Sequence, residues 1–343
     1  MLVLSLKSIR SIGVFAVICS SLASASAQSA TSKIVNAANT FISSLDEKQK
    51  QGVLFPFNDE TQRANWSNLP VSFAKRAGVS LKEMSPAQRT AAMALVSSAL
   101  SKRGFEKVQQ IMAGDEALKA NERNNPIFGK DLYYISLLGK PSEKDPWTLQ
   151  FGGHHLALNI TIAGERGILT PTLTGAQPAL YTENGTTVRP LGQESDKALA
   201  LLNTLDDNQR KQAVLGFRLA DLVLGPGQDG KTIQPEGLKA SAMNDKQRAA
   251  LLDLISEWAG IIHESAAASR MADLKADINE TWFAWSGPTT ANPGSNITAY
   301  YRVQGPHLVI EYAPQRLGGD PSMHVHTMYR DPTNDYGRAL TTK

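Results

Sequence analysis

The sequence predicts an α+β fold made of two related lobes, each with helices packed on an antiparallel sheet. Three observations predict it. Four helix starts share one capping pattern, they fall into two pairs of nearly equal spacing, and a strand-rich stretch follows each pair.

The starts are Leu45-Asp46-Glu47-Lys48-Gln49, Met84-Ser85-Pro86-Ala87-Gln88, Leu205-Asp206-Asp207-Asn208-Gln209 and Met243-Asn244-Asp245-Lys246-Gln247. In each, Asp, Ser or Asn stands three residues before Gln. At that spacing the first side chain accepts from a free backbone N–H, and the Gln reaches back to the cap residue. Pro86 falls at the first helical position, where its missing N–H is not needed. Apolar residues follow with helical spacing, as in Ala92, Leu95, Val96 and Leu100, or Leu251, Leu254, Ile255, Trp258 and Ile262. Asp46 and Ser85 are 39 residues apart, Asp206 and Asn244 are 38 apart, and the pairs are separated by 160.

The strand-rich stretches are 132–139 with 147–159, and 281–287 with 300–311. Gly153-His154-His155-Leu156 in the first aligns with Gly305-Pro306-His307-Leu308 in the second. This order implies an internal duplication, far longer than a solenoid unit, with lobes at 28–195 and 196–343. Asn184-Gly185, between Tyr181 and Val188, is a hairpin-turn signal. Strand alternation in Trp282-Phe283-Ala284-Trp285 puts Phe283 and Trp285 on one face, as expected of sheet core rather than of a sugar-stacking platform.

The first 27 residues read as an export signal. Lys7 and Arg10 precede a short apolar run, Ile12 to Ile18, and Ala25-Ser26-Ala27 supplies the small-residue ending. The run is too short to span a membrane, which takes about 20 apolar residues. Cleavage is expected before Gln28, giving a secreted or periplasmic protein. A lipid anchor on Cys19 is disfavoured because bulky Ile18 precedes it. Cys19 is the only cysteine, so the cleaved chain has neither disulfides nor thiolate chemistry. Losing Lys7 and Arg10 lowers the net charge from +3 to +1, with no basic block that would suit nucleic acid.

The chemistry-bearing residues are histidines. His324 and His326 are two apart, so in a strand they project from one face, with backbones about 6.6 Å apart. Two such imidazoles can share an ion about 2 Å from each nitrogen. His154 and His155 would point to opposite faces if extended, so one of them is expected to complete a three-histidine centre at the lobe junction. Three protein ligands with an open position is the catalytic pattern. Glu311 and Asp331 are candidates for the base, with Glu194 and Asp335 further carboxylates, and Arg330 for binding an anionic group. His263 and His307 read as structural. Among the motifs sought, Gly-x-Ser-x-Gly, the phosphate loop and His-Glu-x-x-His are absent.

Trp147 through Leu156, Trp285-Ser286-Gly287-Pro288, and His324-Val325-His326 through Arg330-Asp331-Pro332 carry a family resemblance. With these segments the chain resembles an uncharacterised secreted bacterial family catalogued as a domain of unknown function. The resemblance spans most of the cleaved chain and implies no particular reaction or cofactor.

The expected function is a secreted metal-dependent hydrolase. Zinc is favoured, because it brings bound water near neutral pKa. Copper or iron on the same imidazoles would support oxidative chemistry. Rival readings are a non-catalytic periplasmic metal-binding protein and a carbohydrate-binding module relying on Trp282 or Trp285. Neither the substrate, the identity of the metal nor the oligomeric state is encoded in any motif present.

Overall fold

The computed structural model describes residues 30–317 and 319–340, so the export signal at 1–27 lies outside the described residues. The elements run α1 (30–44), α2 (Glu47–Val53), β1 (Leu54–Phe55), α3 (Glu60–Arg63), β2 (Val79–Ser80), α4 (Pro86–Ala99) and α5 (Lys102–Asn121). Strands β3 (Tyr134–Leu138), β4 (Trp147–Gly153), β5 (Leu156–Ala163), β6 (Arg166–Ile168), β7 (Thr172–Ala176), β8 (Tyr181–Glu183) and β9 (Thr186–Val188) follow. The chain continues through α6 (Gly192–Asn203), α7 (Asp207–Ala213), β10 (Leu238–Lys239), α8 (Asp245–Ala259) and α9 (Glu264–Ala276). It ends with β11 (Trp282–Ser286), β12 (Tyr300–Gly305), β13 (Leu308–Pro314) and β14 (Val325–Arg330).

All four capping boxes form, at the starts of α2, α4, α7 and α8. The turn between β8 and β9 takes Asn184 at φ 49° and Gly185 at φ 78°, the pair of positive values that Asn-Gly favours.

Among the described residues the main sheet is mixed and has twelve strands, ordered β1-β3-β4-β5-β7-β14-β13-β12-β11-β10, with β2 and β6 pairing β3 and β5, while β8 and β9 pair only with each other. The two expected sheets are therefore one. They join where β7 and β14 pair antiparallel, from Val325↔Ala176 to Tyr329↔Thr172. The helices are joined as well. Leu100 bridges Ile262, Ser101 N donates to Ile261 O at 3.0 Å, and His263 N donates to Ala99 O at 3.1 Å. The expected lobe boundary at 195/196 falls inside α6.

The order of elements nevertheless recurs, together with its bonds. Gln88 Nε2 donates to Ser44 O and Gln49 Oε1, and Gln247 Nε2 donates to Thr204 O and Gln209 Oε1, all at 2.8 Å. β1 runs parallel to β3, and Val214 forms a parallel bridge to Trp285. Gly78 and Gly237, each just before the short strands β2 and β10, both take φ 94°.

The registers divide the sheet into two unlike faces. One carries Ile135, Leu149, Ile160, Tyr312, Tyr301 and Trp285, which pack under the helices in two apolar clusters. Tyr301 stacks between Trp285 and Tyr312, with ring centroids 6.0 and 5.0 Å away. Phe283 and Trp285 are sheet core, as alternation predicts. The opposite face carries Gln150, Asn159, His326, Glu311 and Arg302, and is covered by the long connections 56–78 and 215–237. A connection laid on a sheet buries backbone groups that need partners, and polar strand residues supply them. Gln150 Nε2 donates to Arg63 O at 3.0 Å, and Glu311 accepts from the amides of Val223 and Leu224 at 2.7 Å each.

Candidate metal centre

β4 and β5 form a hairpin whose last pair is Gly153↔Leu156, so His154 and His155 are its two turn residues. The extended strand expected at 147–159 turns back at this point. The rings consequently do not point to opposite faces. They stack, with centroids 3.7 Å apart, and His155 takes the left-handed φ of 62°. The tip folds against β7 and β14. Gly175 N, on β7, donates to His155 O at 2.7 Å, and Gly175 pairs with His326 on β14. Gly175 has no side chain to spare: a Cβ there would lie 3.2 Å from the Cδ2 atoms of both His155 and His326.

Three imidazole nitrogens converge as a result. His155 Nε2 lies 3.0 Å from His324 Nε2, which lies 3.1 Å from His326 Nε2. All three residues are buried, 2% exposed at His155 and 6% at the other two. Nitrogens this close, each about 2.05 Å from a common ion, would subtend roughly 95° there, compatible with three ligands on one side and an open position on the other.

Protonation strengthens the case. His324 Nδ1 lies 2.7 Å from Leu317 O, so it carries the proton and donates, leaving Nε2 with a lone pair. That one lone pair faces two ring nitrogens, so at most one contact can be an ordinary hydrogen bond. Burial and the neighbouring rings push His155 well below the ordinary histidine value and His324 down to about 4. Burial also lowers His326, against the pull of Asp221. Neutral imidazoles whose ring nitrogens face one point can take up a metal once each presents its lone pair there.

Outer partners hold the rings. Asn68, in the first long connection, accepts from His155 N at 3.0 Å and sets its Nδ2 3.4 Å from His326 Nδ1. Asp221, in the second, places a carboxylate oxygen 4.0 Å from His326 Nδ1. Burial would raise the Asp221 pKa, but His326 and the Leu222 amide bring it below the ordinary value. His154 has a different partner, Asp115 of α5, whose Oδ1 lies 2.6 Å from His154 Nδ1. Gly129 N donates to the other Asp115 oxygen at 2.8 Å. Asp115, His154 and His155 also lie close enough to qualify as a metal-capable group. Stacked rings, however, send their in-plane lone pairs along side-by-side directions, so the stacked pair does not converge as the three Nε2 atoms do.

Residues 27–338 match the family model described as "Protein of unknown function (DUF3500)". The chain belongs to this family. No match was found among curated proteins or among solved structures. The DUF3500 span contains every histidine of the centre, together with Asp115, Asn68 and Asp221.

Within that span, the other expected site residues sit in separate networks. Glu311 is fully buried and accepts from two loop amides and from Tyr300 OH at 2.8 Å. Arg330 holds Asp229 and Asp335 at 2.8 Å each and the Leu224 carbonyl. Asp331 pairs with Arg270 at 3.0 Å. Glu194 is bound by the ammonium of Lys107. Arg330 and Asp331 are also at the far end of β14, about 20 Å along the strand from His324. Glu311 and Arg330 anchor the second connection to the sheet, Asp331 is tied to α9, and Glu194 ties α6 to α5; their bonds go to these partners rather than to the histidines. His263 is buried and bonded to Ser265, and His307 is exposed. Asp115 escaped the sequence reading although it carried a signal. With Val108, Ile111 and Met112 it falls at i, i+3, i+4 and i+7, placing a carboxylate on the buried stripe of α5.

Proposed function

We propose that this chain is an exported, metal-dependent hydrolase whose metal is held by His155, His324 and His326. The observation that carries the reading is the convergence of three buried, neutral Nε2 atoms. Zinc held there would make hydroxide available near neutral pH. The base is the Asp115–His154 pair rather than Glu311 or Asp331. Asp115 orients the His154 ring through Nδ1–H, leaving Nε2 to take a proton beside the ligand His155. Asn68 and Asp221 fix His326, and Leu317 O fixes His324.

A second reading has a specific observation in its favour. The three donors are all imidazoles, and that set suits copper as well as zinc, which would make the chemistry oxidative. We also propose that the recurring elements descend from a duplication, on the strength of the matching capping bonds and the shared φ of Gly78 and Gly237.

The test is elemental analysis of the mature protein beside His155→Ala and His324→Ala, followed by turnover of a panel of chromogenic esters. Metal in the parent and none in the variants is expected. Asp115→Asn should keep the metal and lose roughly a hundredfold in turnover. A copper electron-spin signal would select the oxidative reading. Tight metal binding with no turnover would make the protein a carrier. Equal metal content in parent and variants would end the proposal.

A further inference from the structure

Five large hydrophobic residues are exposed among the described residues: Leu54, Leu69, Phe73, Phe217 and Leu317. Leu54 is in β1, at the far edge of the sheet. The other four belong to the connections that hold the histidines. Leu69 follows Asn68, the partner of His155 and His326. Phe73 sits one turn further on, its amide on Pro70 O at 2.9 Å. Leu317 supplies the carbonyl for His324. Phe217 lies four residues before Asp221. Its carbonyl accepts from Ser286 Oγ at 2.7 Å, and Ser286 shares a lateral row with Tyr300, Ala313 and His326, about 14 Å across three strand spacings.

These side chains are tips, not the walls of a cleft: Phe73 is 71% exposed, Leu317 81% and Phe217 50%. Their bases are fixed. The Arg76 guanidinium clasps the carbonyls of Ser67 and Leu69 at 2.7 Å and of Gly153 at 2.8 Å. Leu219 N donates to Ser286 Oγ at 3.0 Å. Fixed tips lose little conformational entropy when they enter an apolar medium. An exposed cation accompanies three of them: Lys75 beside Phe73, Arg218 beside Phe217 and Arg316 beside Leu317. Two exposed acids, Asp221 and Asp320, share this face with the three cations; each accepts from amide donors, Asp221 from Gln315 and Leu222 N and Asp320 from Ser322 N, while Glu60, Asp229 and Glu236 of the same connections are in ion pairs.

From this arrangement we infer that the histidine-bearing face docks on an anionic lipid surface. Phe73, Phe217, Leu69 and Leu317 enter the headgroup boundary, while Lys75, Arg218 and Arg316 meet its charge. Apolar tips flanked by cations are the chemistry that an anionic interface attracts. The inference goes beyond the proposed hydrolase and does not need the metal.

The experiment sediments the mature protein with vesicles of phosphatidylcholine, alone or mixed with phosphatidylglycerol. Salt-sensitive binding to the mixed vesicles is expected. Phe73→Ser/Phe217→Ser/Leu317→Ser should weaken it by roughly tenfold for each aromatic removed. Lys75→Gln/Arg218→Gln/Arg316→Gln should abolish the preference for the anionic vesicles. All six sites are exposed, so folding is checked simply, by an unchanged circular dichroism spectrum. The parent treated with a metal chelator should sediment like the untreated parent, which separates this inference from the metal reading. Failure of the parent to bind mixed vesicles, or full binding by the serine variant, overturns it. A concentration-dependent dimer that the serine variant loses would assign the face to a second copy and also overturn it.

Discussion

Gly153-His154-His155-Leu156 and Gly305-Pro306-His307-Leu308 each join two antiparallel strands through a two-residue turn. Their surroundings differ. The first tip lies beside the start of β14 and meets His324 and His326. The second lies beside its far end, where the His307 Nδ1 pairs with Thr333 Oγ1 at 2.8 Å and the His307 carbonyl accepts from Arg270. Pro306 also fixes φ near −65° where the first turn has a histidine. The same Gly-x-His-Leu sequence thus gives a buried histidine positioned to bind a metal in one place and an exposed surface residue in the other. What distinguishes them is the strand that the register sets opposite, not the local motif.

The largest test of that contrast is paired substitution. His155→Ala should weaken metal binding by more than about a hundredfold, beyond the loss of an outer partner, while His307→Ala leaves affinity unchanged. Calorimetric titration of both variants measures it, and equal losses would erase the distinction between the tips.

Acid should act on the first tip next. His324 is lowered from 6.5 to about 4, so between those values the unfolded chain binds a proton that the native state refuses. Stability of the metal-free protein should therefore fall as pH drops through this window, by up to about 3 kcal/mol from this residue. Urea unfolding across the window reads it. His324→Gln should flatten the slope, and an unchanged slope would contradict the buried neutral ring.

Crowding comes third. Gly175→Ala puts a methyl against both ligand rings and the Val325 carbonyl, 2.9 Å away, and should cost about 2 kcal/mol together with a loss of metal affinity. The smallest effect belongs to the second tip, where His307→Ala should change stability by no more than about 0.5 kcal/mol.

The parts of the fold legible in the sequence were those set by local spacing. Asp46 with Gln49 and its three counterparts needed only a three-residue offset, Asn184-Gly185 only a turn preference, and His324 with His326 only strand alternation. The centre itself depends on distant parts of the chain. Asn68 and Asp221 reach His326 across 258 and 105 residues, and nothing in their own neighbourhoods marks them. Glu311 resembled a base by composition alone. Its role was set by two amides of a connection far away in sequence. Reading 154–155 as extended failed because two glycines before a polar pair also suit a turn, and the turn prevailed.

β14 is the last strand among the described residues, yet it sits in the middle of the sheet. Until it arrives, β7 and β13 are bare edges, the kind of template that recruits other chains. The sheet therefore cannot close while the chain is still being synthesised up to β14. It closes after residue 330 is free, and the same closing event delivers two of the three converging histidine rings. Assembly of the centre and completion of the fold are one step, late and long-range.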